Sequence, residues 1–215
     1  TGKSIRMAGY KINLPFKTEI SDEGLTKPAC TCYHKKNRYK EKTDTMFKKF
    51  FPDEYLESTY KIDFEEQYRK GYRGIIFDID NTLVPHGAPS DKRAEKLFEG
   101  LKKMGFQCCL LSNNQYQRVS SFNEKIQVHF IENAHKPSRK NYLKAMELMG
   151  TKIENTLFVG DQLFTDVYGA KRVGIHNILV KPIHPKEEIQ IVLKRKLEKI
   201  VLFFYAKEQR KRKKS

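Results

Sequence analysis

Two aspartates stand at alternate positions where an apolar segment near the middle of the chain ends. Asp78 and Asp80 follow Gly74 to Phe77 and are separated by Ile79. Alternate side chains of an extended chain point the same way, so we expect both carboxylates to face one crowded spot. Like charges that close need a shared proton or a cation, and Mg²⁺ is the usual cation between such a group and a phosphate. The pair alone is a weak signal, because surface turns often contain two such aspartates.

A calcium-binding loop is one alternative for a segment with alternating aspartates. Such a loop needs glycine at its sixth position and glutamate at its twelfth. Counted from Asp78, these positions hold Leu83 and Pro89. The spacing therefore excludes a calcium loop and leaves the magnesium interpretation open.

A second polar group, Ser112 with Asn113 and Asn114, directly follows the apolar segment Phe106 to Leu111. A hydroxyl and amides at the end of a strand could hold the oxygen atoms of a phosphate. A serine at such a position could equally cap the following helix, because its side chain accepts a bond from a free backbone N–H. Both alternatives remain open on the sequence.

Two further groups follow the third and fourth apolar segments, Val128 to Ile131 and Thr156 to Val159. Lys136 stands before Pro137, where it could present a fixed cation to a phosphate or could be an ordinary surface lysine. Asp161 follows Gly160 at the end of the fourth segment, and Asp166 stands further along the same motif. These carboxylates could join a metal site, while the alternative for Asp161 is a helix cap.

Short apolar segments and amphipathic segments alternate along the chain and predict the elements that position these groups. Strands are expected at Gly74 to Ile79, Phe106 to Leu111, Val128 to Ile131, Thr156 to Val159 and His176 to Val180. This alternation predicts an α/β fold with a parallel five-stranded sheet and helices on both faces. The carboxyl ends of parallel strands meet at one edge, so the four polar groups are expected to converge there.

Two helices are the most distinct in the pattern. The first begins near Ser90-Asp91 and ends at Gly105. Its inward residues are expected to be Ala94, Leu97, Phe98, Leu101 and Met104. The second begins after Pro137-Ser138 and ends at Gly150. Its inward residues are expected to be Tyr142, Leu143, Met146 and Met149.

The order of the polar groups resembles the motifs of the haloacid dehalogenase superfamily. Those motifs are Asp-x-Asp-x-Thr/Val, a Ser or Thr, a Lys, and Gly-Asp with a following Asp, and all four are present. Two strings resemble the YqeG family of subclass IIIA in particular: Asp80-Asn81-Thr82-Leu83-Val84 and Gly160-Asp161-Gln162-Leu163-Phe164-Thr165-Asp166-Val167. That family is related to the mitochondrial phosphatidylglycerophosphatases. The resemblance covers residues 46 to 205.

The resemblance implies a magnesium-dependent phosphatase with a Rossmann-like core and no large cap domain. Asp78 would be the nucleophile that forms an aspartyl-phosphate, and Asp80 would act first as acid and then as base. The implied metal ligands are Asp78, the main-chain carbonyl of Asp80, and Asp161, with Asp166 close behind them. The implied phosphate-binding residues are Asn81, Ser112, Asn113 and Lys136, of which Ser112 and Lys136 are also counted as catalytic.

The positive charge of the chain lies mainly at its two ends. The formal net charge is +16, but residues 46–180 hold 20 Lys and Arg against 17 Asp and Glu. We expect a poorly structured extension at residues 1–45, a phosphatase domain at 46–185, and a basic amphipathic helix with a tail at 186–215. The basic ends could contact an anionic surface.

The C-terminal segment combines apolar residues at helical spacing with many basic ones. Such a helix lies in an anionic lipid interface or packs on the core with a solvated tail, and both could hold at once. An open site and a basic helix favour a phosphate carried on a lipid. The expected substrate is phosphatidylglycerophosphate, in phosphatidylglycerol and cardiolipin synthesis.

Two other functions remain open. One is a phosphatase of soluble phosphometabolites. The other is a basic RNA- or ribosome-binding protein, although specific nucleic-acid binding is not expected because the basic ends lack interleaved aromatic motifs.

The protein is expected to be cytoplasmic, and peripheral on the inner face of a membrane or on the matrix side of a mitochondrial one. No apolar run approaches the roughly 20 residues that span a bilayer. The 4 cysteines give no disulfide framework, which fits a reducing compartment. The oligomeric state stays open.

Overall fold

Six parallel strands form the central sheet of the part of the chain that the computed structural model describes, residues 47–184 and 189–213. For residues 189–194 the backbone alone is described. The strands are β1 (Glu54–Leu56), β2 (Gly74–Phe77), β3 (Gln107–Leu111), β4 (His129–Ile131), β5 (Thr156–Gly160) and β6 (His176–Val180). Their order is β1-β6-β5-β2-β3-β4, with every adjacent pair parallel. The extension predicted at residues 1–45 lies outside the described residues.

The sheet has one more strand than the five that the sequence predicted. The additional strand, β1, is a three-residue edge strand that pairs with β6. Three residues are too few to show a period of two, so the sequence carried no signal for it. The end of β2 also differs, because this strand stops at Phe77 instead of Ile79. Asp78 lies just beyond the strand, although its N–H still donates to the Val159 carbonyl at 2.9 Å.

Helices cover both faces of the sheet. They are α1 (Phe64–Arg69), α2 (Lys92–Met104), α3 (Tyr116–Asn123), α4 (Arg139–Met149), α5 (Tyr168–Val173) and α6 (Ile189–Arg212). Shorter turns are 3₁₀ at Thr59–Lys61 and Ile153–Asn155 and π-helical at Leu163–Val167. The predicted bounds of α2 are confirmed, because Asp91 caps the Ala94 N–H and Gly105 ends the helix with φ of 91°.

Alternate residues of the strands point to opposite faces, and each face is packed by a different set of helices. On one face, Phe77 of β2 packs with Phe98 of α2 and Phe122 of α3. On the other face, Ile76 of β2 packs with residues of α4 and α5. These include Tyr142, Met146 and Ala170. Full burial of each large apolar side chain stabilises the fold by roughly 1.5–3 kcal/mol, so these contacts hold the helices against the sheet.

One of the inward residues predicted for α4 is wrong. Leu143 is 43% exposed, and Ala145 faces the core in its place. The inward residues Tyr142, Ala145, Met146 and Met149 follow the spacing of one helix face, whereas Leu143 lies about 100° around the helix from Tyr142. Spacing therefore decides the face of this residue more strongly than its hydrophobicity does.

The C-terminal helix α6 packs on the domain. Its residue Val201 is buried with Leu163 and Val167 of the π-helical turn. Phe204 stacks on Phe47, with ring centroids 5.3 Å apart. Core packing, one of the two alternatives for this segment, is therefore observed, and contact with lipid stays a prediction. None of the described helices is long and apolar enough to cross a membrane.

Gly169 of α5 provides a test of this packing. An ideal Cβ at Gly169 would lie 2.2 Å from Tyr142 Oη. We expect Gly169→Ala to lower the free energy of unfolding by about 1–3 kcal/mol, the usual cost of overpacking a core, as measured by urea denaturation. Gly100→Ala in α2 is the matched control, because a Cβ there meets nothing within 4 Å. It should stabilise the helix by about 0.5–1 kcal/mol, and equal effects of the two substitutions would contradict the packing.

Candidate active site

The carboxyl ends of four strands bring the predicted polar groups to one edge of the sheet. Asp78 follows β2, Ser112 follows β3 and Asp161 follows β5. Lys136 lies beyond β4, in the loop that leads to α4. All four residues are buried. The structure therefore assembles at one edge the groups that the sequence predicted to meet there.

Lys136 is the cation at the centre of this site. Its Nζ donates to Asp78 Oδ1 at 2.6 Å and lies 2.7 Å from Asp166 Oδ1. Only 3% of its side chain is exposed, so it is not the ordinary surface lysine that the sequence left open. Burial by itself lowers the pKa of a lysine, but the Asp166 and Asp78 carboxylates outweigh burial and raise the pKa of Lys136 above its ordinary value. Lys136 is therefore charged at neutral pH.

Three buried carboxylates lie close enough to hold one metal ion. One oxygen each from Asp78, Asp161 and Asp166 lies within 4.8 Å of the other two. The Thr82 hydroxyl joins two of these groups, since its Oγ1 is 3.1 Å from Asp78 Oδ2 and 3.2 Å from Asp161 Oδ1. Hard carboxylate oxygens are the donors that Mg²⁺ prefers.

Burial shifts the pKa of two of these carboxyl groups upward. It raises the pKa of Asp78 from 3.8 to about 6, with Lys136 opposing the shift and Asp166 adding to it. It raises the pKa of Asp161 well above its ordinary value, where repulsion from Asp78 adds to the effect and Arg195 opposes it. Both groups therefore favour a proton or a bound cation. On this ground the residues present fit a divalent metal ion.

The Asp80 carboxylate has a different set of partners. It accepts bonds from the Gly87 N–H and from Arg118 Nη2, both at 2.8 Å, and from Asn114 Nδ2. Asp80 is not one of the three carboxylates that could share a metal ion. Burial is the main cause of the raised pKa of Asp78, and repulsion from the Asp80 carboxylate adds to it, so the two carboxylates lie near each other. The expectation that both face one crowded spot stays a prediction.

Ser112 and Asn113 organise the loops around Lys136. Ser112 Oγ accepts bonds from the Asn114 N–H at 3.2 Å and from Asn114 Nδ2 at 3.0 Å. Helix α3 is preceded by Gln115 at its capping position, so Ser112 is not the helix cap that the sequence left open. Asn113 Oδ1 accepts the Lys136 N–H at 2.7 Å and so fixes the backbone that carries the lysine.

Asn81 turns the chain directly after Asp80. Its φ of 61° lies in the left-handed region, which asparagine tolerates better than most residues. Its side-chain Oδ1 accepts the His184 N–H at 3.3 Å. The phosphate-binding roles of Asn81, Ser112 and Asn113 stay predictions.

Two residues that contact the site were missed by sequence reasoning. Arg118 donates to Asp80, as does Asn114 of the predicted second polar group, and Arg195 of α6 donates to the Asp161 carboxylate. Arg118 and Arg195 are 38 and 34 residues away from their partners along the chain. No local pattern signals an ion pair over such a separation.

Gly160 leaves the space that Asp166 occupies. An ideal Cβ at Gly160 would lie 2.5 Å from Asp166 Oδ2. The same oxygen accepts the Gln162 N–H at 3.1 Å, which holds the turn after β5. The glycine of this Gly-Asp motif is therefore required for steric reasons, because a larger residue at position 160 would displace the Asp166 carboxylate.

Comparison with known proteins agrees with this geometry. The family model described as HAD-hydrolase-like matches residues 133–188. The chain is 38% identical over 159 residues to the probable phosphatase YqeG of Bacillus subtilis (strain 168), covering 73% of this chain and 92% of that protein. The chain belongs to the YqeG family of haloacid dehalogenase-type phosphatases. This membership confirms the resemblance and makes the chain a hydrolase that acts on phosphate esters.

Two more distant relatives of this YqeG-family chain are named after different substrates. It is 30% identical over 97 residues to the glyceraldehyde 3-phosphate phosphatase of Pyrococcus furiosus, covering 41% of this chain and 40% of that protein. It is 27% identical over 158 residues to the phosphatidylglycerophosphate phosphatase 1, chloroplastic/mitochondrial, of Arabidopsis thaliana, covering 66% of this chain and 44% of that protein. The chain thus spans less than half the length of either relative.

The raised pKa of Asp78 predicts how the stability of the metal-free protein depends on pH. The folded state holds this proton more tightly than the unfolded state, whose pKa is about 4. The free energy of unfolding should therefore fall as pH rises from about 4 to about 6, by up to about 3 kcal/mol, and stay lower above that window.

Thermal melting of wild type and Asp78→Asn with EDTA, at several pH values, measures this effect. The variant cannot bind the proton, so the wild type should lose more stability than the variant across that window. Parallel curves would show that Asp78 titrates as it does in the unfolded chain.

Proposed function

We propose that the chain is a magnesium-dependent phosphomonoester hydrolase that works through an aspartyl-phosphate on Asp78. The observation that carries this proposal is the contact between Lys136 Nζ and Asp78 Oδ1 at 2.6 Å, beside two further buried carboxylates. A fixed cation at the nucleophile attracts the phosphate group and stabilises the charge on its oxygens during transfer. The likeness to a relative described as a phosphatase supports the same chemistry.

Two displacements would complete hydrolysis. In the first, an Asp78 carboxylate oxygen bonds to phosphorus, the bond from phosphorus to the ester oxygen breaks, and that oxygen takes a proton from the Asp80 carboxyl group. In the second, Asp80 takes a proton from water, the water oxygen bonds to phosphorus, and the bond between Asp78 and phosphorus breaks. The donors Gly87, Asn114 and Arg118 would hold the Asp80 carboxyl group in place for both proton transfers.

A magnesium ion would be held by the carboxylates of Asp78 and Asp161 and by the main-chain carbonyl of Asp80, with Asp166 beside them. When bound, it offsets the repulsion between these carboxylates and the phosphate oxygens. Asp166 also pairs with Lys136, so it would fix the lysine as well as the metal. The position of Asp166 close to the carboxylates of Asp78 and Asp161 supports a role at the edge of the metal site.

The phosphate itself would be bound by Lys136 and by donors from the neighbouring loops. Ser112 Oγ accepts both bonds that it makes with Asn114, so its own hydroxyl hydrogen can donate to a phosphate oxygen. Asn113 turns its carbonyl oxygen to Lys136, which leaves its amide group to donate. Asn81 would add a donor from the turn after Asp80.

Substitution of the nucleophile tests the mechanism. We expect Asp78→Asn to lower kcat for phosphate release with Mg²⁺ by at least about 10³-fold, because the amide cannot form the covalent intermediate. Glu154→Gln makes the same chemical change at an exposed residue beyond the opposite end of β5 and should leave the rate unchanged. Full activity of Asp78→Asn would remove the aspartyl-phosphate mechanism.

We further propose that the phosphate is carried on a lipid, with phosphatidylglycerophosphate as the substrate. The chain between Asp80 and Ser112 is occupied by α2 and β3, and the chain between Ser112 and Lys136 by α3 and β4. These are elements of the core, and neither gap contains an additional domain that would cover the site. An open edge suits a phosphate embedded in a surface. The name of the Arabidopsis relative supports the same substrate.

The outer face of α6, here defined by Leu197, Ile200 and Phe203, supports contact with a membrane. These side chains are 52%, 48% and 67% exposed. Lys196 and Lys199 are exposed on the same helix, so apolar and basic groups alternate on one surface. A surface of this kind binds anionic lipid, because the apolar groups enter the interface while each basic group contributes on the order of 1 kcal/mol.

The competing function is a phosphatase of soluble phosphometabolites. The likeness to the glyceraldehyde 3-phosphate phosphatase of Pyrococcus furiosus favours it, although the match covers 41% of this chain. An open edge admits a small phosphate ester as well. The two functions differ in whether a lipid surface raises the rate.

Rates on two substrates separate these functions. We expect phosphate release from phosphatidylglycerophosphate in anionic vesicles to exceed release from glyceraldehyde 3-phosphate at equal phosphate concentration by at least about tenfold in kcat/KM. A triple variant, Leu197→Ser/Ile200→Ser/Phe203→Ser, should lose about tenfold or more in vesicle affinity, because it removes the apolar surface that would enter the lipid.

The control for this surface is Leu143→Ser/Leu148→Ser, which changes exposed apolar residues of α4. This variant should bind vesicles as the wild type does. Equal rates on both substrates, or vesicle binding that both variants retain, would favour the soluble-substrate function.

A further inference from the structure

The helix α6 places an arginine beside the cluster of buried carboxylates formed by Asp78, Asp161 and Asp166. Arg195 Nη2 donates to Asp161 Oδ2, and Nη1 donates to the main-chain carbonyl oxygen of the same residue. Nη1 also donates to Glu198 Oε2 at 2.9 Å. The arginine side chain is 16% exposed. One planar guanidinium therefore holds Asp161 by both its side chain and its backbone.

The two oxygens of the Asp161 carboxylate face different partners. Oδ1 lies 3.2 Å from Thr82 Oγ1, and that hydroxyl also lies 3.1 Å from Asp78 Oδ2. Oδ1 is thus on the side of Asp78, where the three carboxylates of Asp78, Asp161 and Asp166 could hold a metal. Oδ2 is on the side of Arg195. The arginine therefore occupies the oxygen that points away from the nucleophile.

Glu198 anchors the arginine and its helix to the same turn. Its Oε1 accepts the Leu163 N–H at 2.7 Å, and its Oε2 accepts Arg195. Glu198 is buried, and Val201 packs one turn further along α6. Leu163 begins the π-helical turn that follows Asp161. Arg195 and Glu198 therefore hold the loop that follows β5 at two points of its backbone, the Asp161 carbonyl and the Leu163 N–H.

We propose that Arg195 is a positioning residue that fixes the orientation of Asp161, so that Oδ1 is presented to the metal. This inference rests on the proposed metal dependence and deepens it, because it makes α6 a structural part of the metal centre. Groups that hold a ligating carboxylate typically change metal affinity by about 10–100-fold when they are removed. The helix would then serve the metal site in addition to any contact with lipid.

Metal binding without substrate tests the proposal directly. We expect full-length Arg195→Ala to bind Mn²⁺, used in place of Mg²⁺ and measured by calorimetry, about tenfold or more weakly than the wild type. Lys196→Ala and Lys199→Ala remove the same charge from exposed positions of the same helix and should leave the affinity unchanged. An affinity unchanged in Arg195→Ala would overturn the proposal. A tighter affinity would also overturn it, because it would mean that the arginine competes with the metal.

Arg195→Lys separates geometry from charge. It keeps the positive charge but cannot donate to the Asp161 carboxylate, the Asp161 carbonyl and Glu198 with the fork of a guanidinium. We expect an intermediate Mn²⁺ affinity and a melting temperature without metal that is no lower than that of Arg195→Ala. Free guanidinium ion at non-denaturing concentration should restore Mn²⁺ binding to Arg195→Ala, and methylammonium should not. Equal rescue by both ions would show that charge alone acts, and would overturn the positioning role.

The result is distinguishable from a failure of the proposed function. Normal Mn²⁺ affinity in Arg195→Ala, together with loss of turnover in Asp78→Asn, would reject the role of Arg195 and keep the phosphatase mechanism. A wild type that binds no divalent ion would reject the metal dependence and, with it, this inference.

Discussion

The burial of negative charge at one edge of the sheet is the constraint on which the rest of the structure depends. Asp78, Asp161 and Asp166 lie within a few ångströms of one another and are buried. Removal of a single ion from water costs several kcal/mol unless cations and hydrogen bonds compensate. Lys136, from the loop after β4, and Arg195, from α6, provide that compensation. Each cation comes from a different element, so the sheet order and the packing of α6 are conditions for a stable site.

Much of this arrangement follows from the sequence by one physical rule. Strands that alternate with helices form a parallel sheet, and the carboxyl ends of such strands share an edge. Ser112, Lys136 and Asp161 could therefore be assigned to one site without any knowledge of the structure. The bounds of α2 followed in the same way, because its capping aspartate and terminal glycine are local signals.

The parts that sequence reasoning missed are those that depend on distant contacts. Strand β1 is defined by its pairing with β6 and has too few residues for a period. Arg118 and Arg195 lie on helices whose own patterns do not indicate which carboxylate they meet. The end of β2 at Phe77 was predicted two residues too late, because the apolar pattern continues to Ile79. Local pattern thus predicted the participants better than their pairings.

The separation of these contacts along the chain has a consequence for how the site comes into being. Lys136 meets Asp78 across 58 residues, Thr82 meets Asp161 across 79, and Arg195 meets Asp161 across 34. Contacts between residues so far apart in the sequence form late in folding, because the loop-closure entropy must be overcome before they stabilise the chain. A partly folded chain would carry Asp78 and Asp161 in water, where burial no longer raises the pKa of either group and no fixed lysine lies beside Asp78. The buried, lysine-paired environment of Asp78, on which the proposed chemistry depends, is therefore a property that the chain acquires only when the whole sheet has closed around it.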